Sequence, residues 1–334
     1  GLLTSSGQNT CIPRFYSVWC ITSEEMDNDE GVMLPVIDLK DISNQSNKLV
    51  EACKEWGSFR VVNHDIPLTL LSEMKSVVRY LLDLPVEIKK RNIDEIAGSG
   101  YVALSKQNPL YEALGLYDLG SSQAVQEFCN QLGVSSNQRE TIMQYSSALH
   151  KLMMDLWNKL AESMGVRLEK LEEWKCQFRI NKYHFREETV GSTGVQIHTD
   201  SGFLTILQED ESVGGLEVLP RSSLASGSYV PVHPVAGTLL VNLGDMATVW
   251  SNGMLYNVKH RVVCKEAAIR VSIAMFLLGT KEAVEARPEF VDGDHPRLYL
   301  PVTYEEYRKL RLSSGYRAGE ALDLMHLTTA SRAI

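Results

Sequence analysis

Basic charge is what this sequence has little of. Thirty-three Lys and Arg stand against 42 Asp and Glu, a formal net charge of −9 over 334 residues. That balance gives no support to a nucleic-acid partner, which wants a basic face. No apolar run reaches the about 18 residues of a membrane-spanning helix, so no membrane partner is expected. The six cysteines (Cys11, Cys20, Cys53, Cys129, Cys176, Cys264) are widely scattered and form no CxxC pair. At this chain length such spacing fits reduced thiols better than a disulfide framework. Internal repeats and low-complexity tracts are also missing. What is present is 44% hydrophobic residues, enough for a sizeable core, and 22% charged residues, a balance that argues against a wholly disordered chain. The expectation is a soluble, cytoplasmic enzyme.

Along the chain, residues 1–25 differ from the rest: no initiating Met, no signal-peptide core, no hydrophobic period. They read as a leader, tag or disordered extension before a native start at Met26. Residues 26–334 read as one catalytic unit. Its 26–174 half is mostly helical, with helices expected over 48–55, from Pro67 through Leu70, Met74, Val77 and Leu81, and over 137–165 on a Leu149, Leu152, Leu156, Leu160 stripe. Residues 88–120 read as loops over a pocket. From 175 to 285 the texture changes to short apolar or alternating segments between Gly, Pro, Asn and Ser: 178–183, 203–207, 216–218, 238–243, 258–263 and 269–278. That regularity predicts a mainly β, α+β fold with a jelly-roll core. A helical tail over 286–334 follows.

Within the β-region, His198-Thr199-Asp200 is the sharpest local signal. On a strand, positions i and i+2 share a face, so the imidazole and carboxylate would converge. A further histidine would complete the two-His-one-carboxylate set that leaves open positions on Fe(II), and His260, on an apolar-flanked later segment, is the candidate. HxD by itself arises often by chance. Ten residues past His260 comes Arg270-Val271-Ser272, again i and i+2. An inward arginine on an apolar strand needs an anionic partner, either a bound carboxylate held by a bidentate grip or a buried structural ion pair. The three signals together are far more specific than any one.

With these residues the chain resembles the plant 2-oxoglutarate-dependent dioxygenases, whose HxD…H…RxS pattern falls on His198, Asp200, His260, Arg270 and Ser272. Family landmarks extend to Leu34-Pro35-Val36-Ile37-Asp38, Glu55-Trp56-Gly57-x-Phe59, Val62-Asn63-His64 and Leu84-Pro85-x-Glu87-x-Lys89. Three further stretches are similar to the subgroup that oxidises auxin: Phe178-Arg179-Ile180-Asn181-Lys182-Tyr183-His184-Phe185, Val195-Gln196-Ile197-His198-Thr199-Asp200-Ser201-Gly202-Phe203, and Asn242-Leu243-Gly244-Asp245. Many relatives carry two prolines after Asn-x-Tyr where this chain and that subgroup have His184-Phe185. Asp65 stands where the family usually has Gly.

The resemblance implies a double-stranded β-helix, cupin-like, with His198, Asp200 and His260 holding Fe(II). Arg270, Ser272, Tyr183 and Asn181 would bind the 2-oxoglutarate cosubstrate. Dioxygen is the oxidant, succinate and carbon dioxide leave, and ascorbate serves as reductant. The implied substrate is indole-3-acetic acid or a similar aromatic organic acid. Alkaloids, flavonoids and gibberellins are alternatives within the class. A non-catalytic ligand-binding jelly roll is an alternative outside it, though no ligand residue has been lost. A zinc hydrolase would leave Arg270-x-Ser272 unexplained. For substrate contact, Phe276 and Leu278 continue the Arg270 strand face, Phe203 follows the metal motif, and Tyr101 and Tyr111 lie in the pocket-covering region; core packing accounts for each of the five equally well. No basic residue is singled out for a substrate carboxylate.

Overall fold

The computed structural model of the chain describes residues 33–327. The expected leader over 1–25 and the start at Met26 lie outside the described residues. β1 (Val36–Asp38) pairs in parallel with β2 (Ser58–Val62). Between them run a 3-10 turn over Leu39–Gln45, α1 (Ser46–Glu51) and a π turn over Ala52–Trp56. Gly57 ends that turn at φ +60, and a Cβ there would lie 2.2 Å from the Tyr256 carbonyl oxygen, so only glycine fits. α2 (Leu68–Leu82) starts after Pro67 and buries Leu70, Met74, Val77 and Leu81, the four residues its spacing predicts. α3 (Val86–Lys89) is a single turn.

Residues 88–120 are not all loop. They contain β3 (Tyr111–Leu116), bonded along its whole length to β4 (Lys175–His184). Tyr-Glu-Ala-Leu-Gly-Leu carries little intrinsic strand preference, so the pairing, not the local sequence, makes it a strand. α4 (Ser122–Leu132) is capped by Ser121 and stopped by Gly133 in the left-handed region. α5 (Ser136–Ser163) opens on a capping box, with Ser135 Oγ accepting from Gln138 N–H and the Gln138 side chain returning to Ser135 N–H. Leu149, Leu152, Leu156 and Leu160 all face the core.

The remaining strands are β5 (Thr193–His198), β6 (Leu204–Gln208), β7 (Leu216–Leu219), β8 (Val230–Pro231), β9 (Leu239–Leu243), β10 (Lys259–Val263) and β11 (Ile269–Gly279). α6 (Asp245–Trp250), α7 (Tyr304–Ser314) and α8 (Glu320–Asp323) are the remaining α-helices of the described residues. A seven-stranded sheet runs β1-β2-β9-β6-β11-β4-β3, and a four-stranded sheet runs β5-β10-β7-β8. Strand alternation splits the larger sheet into two faces. One carries Phe178, Ile180, Ile206, Val241, Ile273 and Met275 into a core shared with α2 and α5. Across the other, Tyr183 and Leu240 cluster with Leu216, Val218 and Val262 of the smaller sheet. Two sheets packed this way form the double-stranded β-helix, and the unfilled end between them is the site. No helix among the described residues is long and apolar enough to cross a membrane.

Candidate active site

A cavity of about 880 Å³ opens between the sheets, at the upper end of the range for small-molecule sites. His198, Asp200 and His260 lie on its wall, with one donor atom from each within 4.8 Å of the others. His260 sits directly across from His198 in the β5–β10 ladder, which brings their ring centres to 4.1 Å. Asp200 does not arrive by strand alternation as expected, because β5 ends at His198 and Thr199-Asp200 leave it in a turn. That turn is pinned from both sides: Thr199 N–H donates to the Arg317 carbonyl and Asp245 N–H to the Asp200 carbonyl, each at 2.8 Å.

The donor set fits a divalent transition metal. His198 Nδ1 lies 2.8 Å from the Gln196 carbonyl and His260 Nδ1 lies 3.0 Å from that of Val258. Donation there fixes the proton on Nδ1 and frees both Nε2 lone pairs. Each Nε2 is 3.7 Å from Asp200 Oδ1, too long for a hydrogen bond and short enough to share one ion. Asp200 Oδ2 accepts from Thr205 Oγ1 at 2.5 Å, which orients the carboxylate. Enclosure by the cavity walls and then the neighbouring His260 push the His198 imidazole down to about 4, although a quarter of its side chain (25%) is reachable by solvent. It is neutral and able to ligate at physiological pH.

Deeper along the same wall, Arg270 is only 2% exposed. Among the described residues no carboxylate comes within ion-pair distance of it, and its buried Nε has no hydrogen-bond partner. The structural ion pair that would have explained an inward arginine is therefore missing, and the site fits an anion instead. The β4–β11 register pairs Arg270 with Tyr183 and Ser272 with Asn181, so four residues from two motifs share one patch. The Arg270 guanidinium lies 5.0 Å from the centre of the Tyr183 ring. Burial pushes the Tyr183 phenol up to about 12 against the pull of Arg270, so its hydroxyl keeps its proton and can donate. Asn181 Nδ2 donates to Ser272 Oγ at 3.3 Å, and Asn181 Oδ1 accepts from Tyr111 at 2.7 Å.

Of the five expected substrate residues, Phe276 and Tyr111 line the cavity. The other three do not. Phe203 turns toward the helices, with its ring 5.2 Å from Trp157 and 4.8 Å from Trp174. Leu278 lies at a register shift near the end of β11, in the helix-side core. Tyr101 points behind the wall and donates to Glu112 Oε1 at 2.8 Å.

The sequence profile of the 2OG-Fe(II) oxygenase superfamily matches residues 174–279, and the N-terminal profile of the non-haem dioxygenases, described for morphine synthesis, matches residues 34–128. A 2-oxoglutarate-dependent dioxygenase DAO of Oryza sativa is 50% identical over 297 residues, 87% of this chain and 98% of the relative. This chain belongs to the 2OG-Fe(II) oxygenase superfamily. Gibberellin 3-beta-dioxygenase 1 of Pisum sativum is 32% identical over 314 residues, 86% of this oxygenase and 79% of the relative. The crystal structure of the rice dioxygenase for auxin oxidation superposes with a TM-score of 0.82 at 49% identity, covering 88% of this chain and all of that one. The 2-oxoglutarate complex of dioxygenase for auxin oxidation 1 from Arabidopsis thaliana gives 0.76 at 54% identity, covering 79% of this chain and all of that one. Membership makes Fe(II) and 2-oxoglutarate the metal and cosubstrate of this oxygenase.

Several residues of the cavity lining were not singled out by the sequence, and Arg179 is the one enclosed arginine among them. Arg179 lies on β4 opposite Ala274, on the face that carries Asn181 and Tyr183, and is 8% exposed. Its guanidinium donates from Nη1 to the carbonyls of Gly98 and Gly100, and among the described residues no carboxylate pairs with it. The available signal was its i, i+2 relation to Asn181.

Proposed function

We propose that this oxygenase converts indole-3-acetic acid to 2-oxoindole-3-acetic acid, placing one atom of dioxygen in the product and the other in succinate as 2-oxoglutarate loses carbon dioxide. Arg179 is the observation that carries the substrate class. A buried guanidinium with no acidic partner is costly unless a carboxylate reaches it. Arg270 lies four residues along the wall from the position opposite Arg179, roughly 13 Å at the backbone. We assign the deeper arginine to the keto acid and the other to the acid that is oxidised. The relatives named for auxin oxidation support the same reading.

Bound Fe(II) supplies the centre at which the keto acid and dioxygen react. His198, Asp200 and His260 would hold it, with Thr205 keeping the Asp200 carboxylate in place. Arg270, Ser272 and the protonated Tyr183 would grip the far carboxylate of 2-oxoglutarate, orienting its keto end toward the metal. Arg179 would hold the substrate carboxylate while Tyr111, Leu110 and Phe276 offer apolar surface to a flat ring and keep water out. We place the enzyme in the cytosol, a reading supported by the four buried free thiols of the described residues.

The test is succinate release from the Fe(II)-loaded enzyme with 2-oxoglutarate and ascorbate, over a panel headed by indole-3-acetic acid and including its methyl ester and a gibberellin. The acid is expected to stimulate release strongly and the ester weakly. Arg179→Leu should raise KM for the acid about tenfold or more and leave that for the ester nearly unchanged. Stimulation by the gibberellin alone, or equal stimulation by acid and ester, would overturn the assignment.

A further inference from the structure

Behind the cavity wall lies a buried polar cluster that neither the metal nor the substrate reading uses. Glu112, 4% exposed, follows Tyr111 on β3 and so points away from the cavity. Its carboxylate is ion-paired with the equally buried Lys89, accepts from Tyr101 at 2.8 Å, and lies 3.0 Å from His184 Nε2. Burial would raise that carboxyl, but hydrogen bonds from Lys89, Tyr101 and His184 outweigh it and hold the group below its usual range. The cluster closes the base of the loop between Tyr101 and Tyr111, whose Gln107, Asn108, Pro109 and Leu110 line the cavity.

His184 is the position after Asn-x-Tyr that many relatives fill with proline. Here its backbone N–H donates to the Leu110 carbonyl at 2.8 Å while its ring meets Glu112. A proline would offer neither link. On the cavity side of the same strand, Tyr111 donates to Asn181, which donates to Ser272. We propose that Glu112 and His184 are positioning residues for 2-oxoglutarate: they lock β3 from behind, so that the Tyr111 hydroxyl holds Asn181 and Ser272 in register with Arg270. The inference rests on the reading of Arg270 as the keto-acid anchor. It assigns the histidine a role in cosubstrate binding, not merely in folding.

Anaerobic titration of the Fe(II)-loaded enzyme with 2-oxoglutarate, followed by the visible absorption of the ferrous chelate, reads half-saturation without turnover. His184→Leu and Tyr111→Phe should each raise it about fivefold, and together no more than about tenfold, because both break the same path. His184→Gln keeps the N–H and an amide donor and should stay within about twofold of the parent. Tyr101→Phe, which removes one bond to Glu112, should shift it modestly in the same direction and serves if His184→Leu does not fold. A half-saturation unchanged in His184→Leu (or, failing that, in Tyr101→Phe), or effects of His184→Leu and Tyr111→Phe that multiply to about 25-fold, would overturn the proposal. Arg270→Lys is the control: if it too binds 2-oxoglutarate normally, the anchor reading has failed.

Discussion

Thr205 shows how much of the site is carried by single atoms. Its hydroxyl is the donor that orients Asp200 Oδ2, and it lies on β6 beside Phe276 of β11. Removing such a partner of a metal ligand weakens the metal by about 10–100-fold. Thr205→Val is therefore expected to bind Fe(II) that much less tightly in equilibrium dialysis while its melting temperature moves little. Unchanged iron affinity would mean that Asp200 needs no orienting. The candidate ligands were legible because HxD, a distant His and RxS, taken together, form a pattern with few other uses. Arg179 was not, since an arginine on a strand ordinarily faces water and only the fold reveals that this one is enclosed. Phe203 misled for the opposite reason: nearness in sequence to Asp200 says nothing about which side of the sheet a ring takes. Asp65, in the place of a usual glycine, adopts φ +61. Asp tolerates the left-handed region at a modest cost, so Asp65→Gly is expected to stabilise the chain by about 0.5 kcal/mol in denaturant unfolding.

Among the elements, those with strong periodicity were readable and those made by their partners were not. α2 and α5 bury the residues their spacing marks, and β4 and β11 set Tyr183 opposite Arg270 and Asn181 opposite Ser272. Leu160, 1% exposed on the α5 stripe, should cost about 3 kcal/mol as Leu160→Ala, seen as a lowered denaturation midpoint. β3 is a strand only because β4 pairs with it, and the turn after β5 has its shape because α7 reaches back to it. Arg311 on α7 donates to the buried Asp245 and to the carbonyls of Thr199 and Arg317. None of these contacts is visible in a local pattern. Arg311→Met would leave Asp245 buried without its counter-charge, at about 3–5 kcal/mol. Stability and iron affinity should fall together in that variant, since Thr199 lies between two ligands; a fall in stability alone would separate the helix from the metal turn.

At the scale of the whole molecule, a helical layer covers one face of a large sheet and a small sheet covers the other, which leaves the cavity at their open end. The fold class was legible because strand-length segments with turn residues between them repeat across 175–285, whereas sheet order and the two-face division required long-range pairing. The charge network sets the response to acid. Burial raises Glu112 and Glu217, but hydrogen bonds from Lys89, Tyr101 and His184 to the first, and from Lys265 and Arg261 to the second, outweigh it and hold both below the ordinary value of 4.5. A carboxyl depressed in the folded state adds stability that is present above 4.5 and is lost as pH falls through its folded value. The melting temperature should therefore lose this contribution progressively below about 4.5, and Glu217→Gln should flatten that slope. A slope unchanged by the substitution would place the acid sensitivity elsewhere.

His198, Asp200 and His260 would hold one ferrous ion, and a keto acid bound there would reach Arg270. Oxygen-free titration with Fe(II) in saturating 2-oxoglutarate, read by iron content and visible absorption, addresses both parts at once. The wild-type chain is expected to take up one iron per chain with the coloured chelate, His260→Ala neither, and Arg270→Leu the iron without the colour at the same keto-acid concentration. Full iron and full colour in His260→Ala would show that these three side chains do not hold the metal.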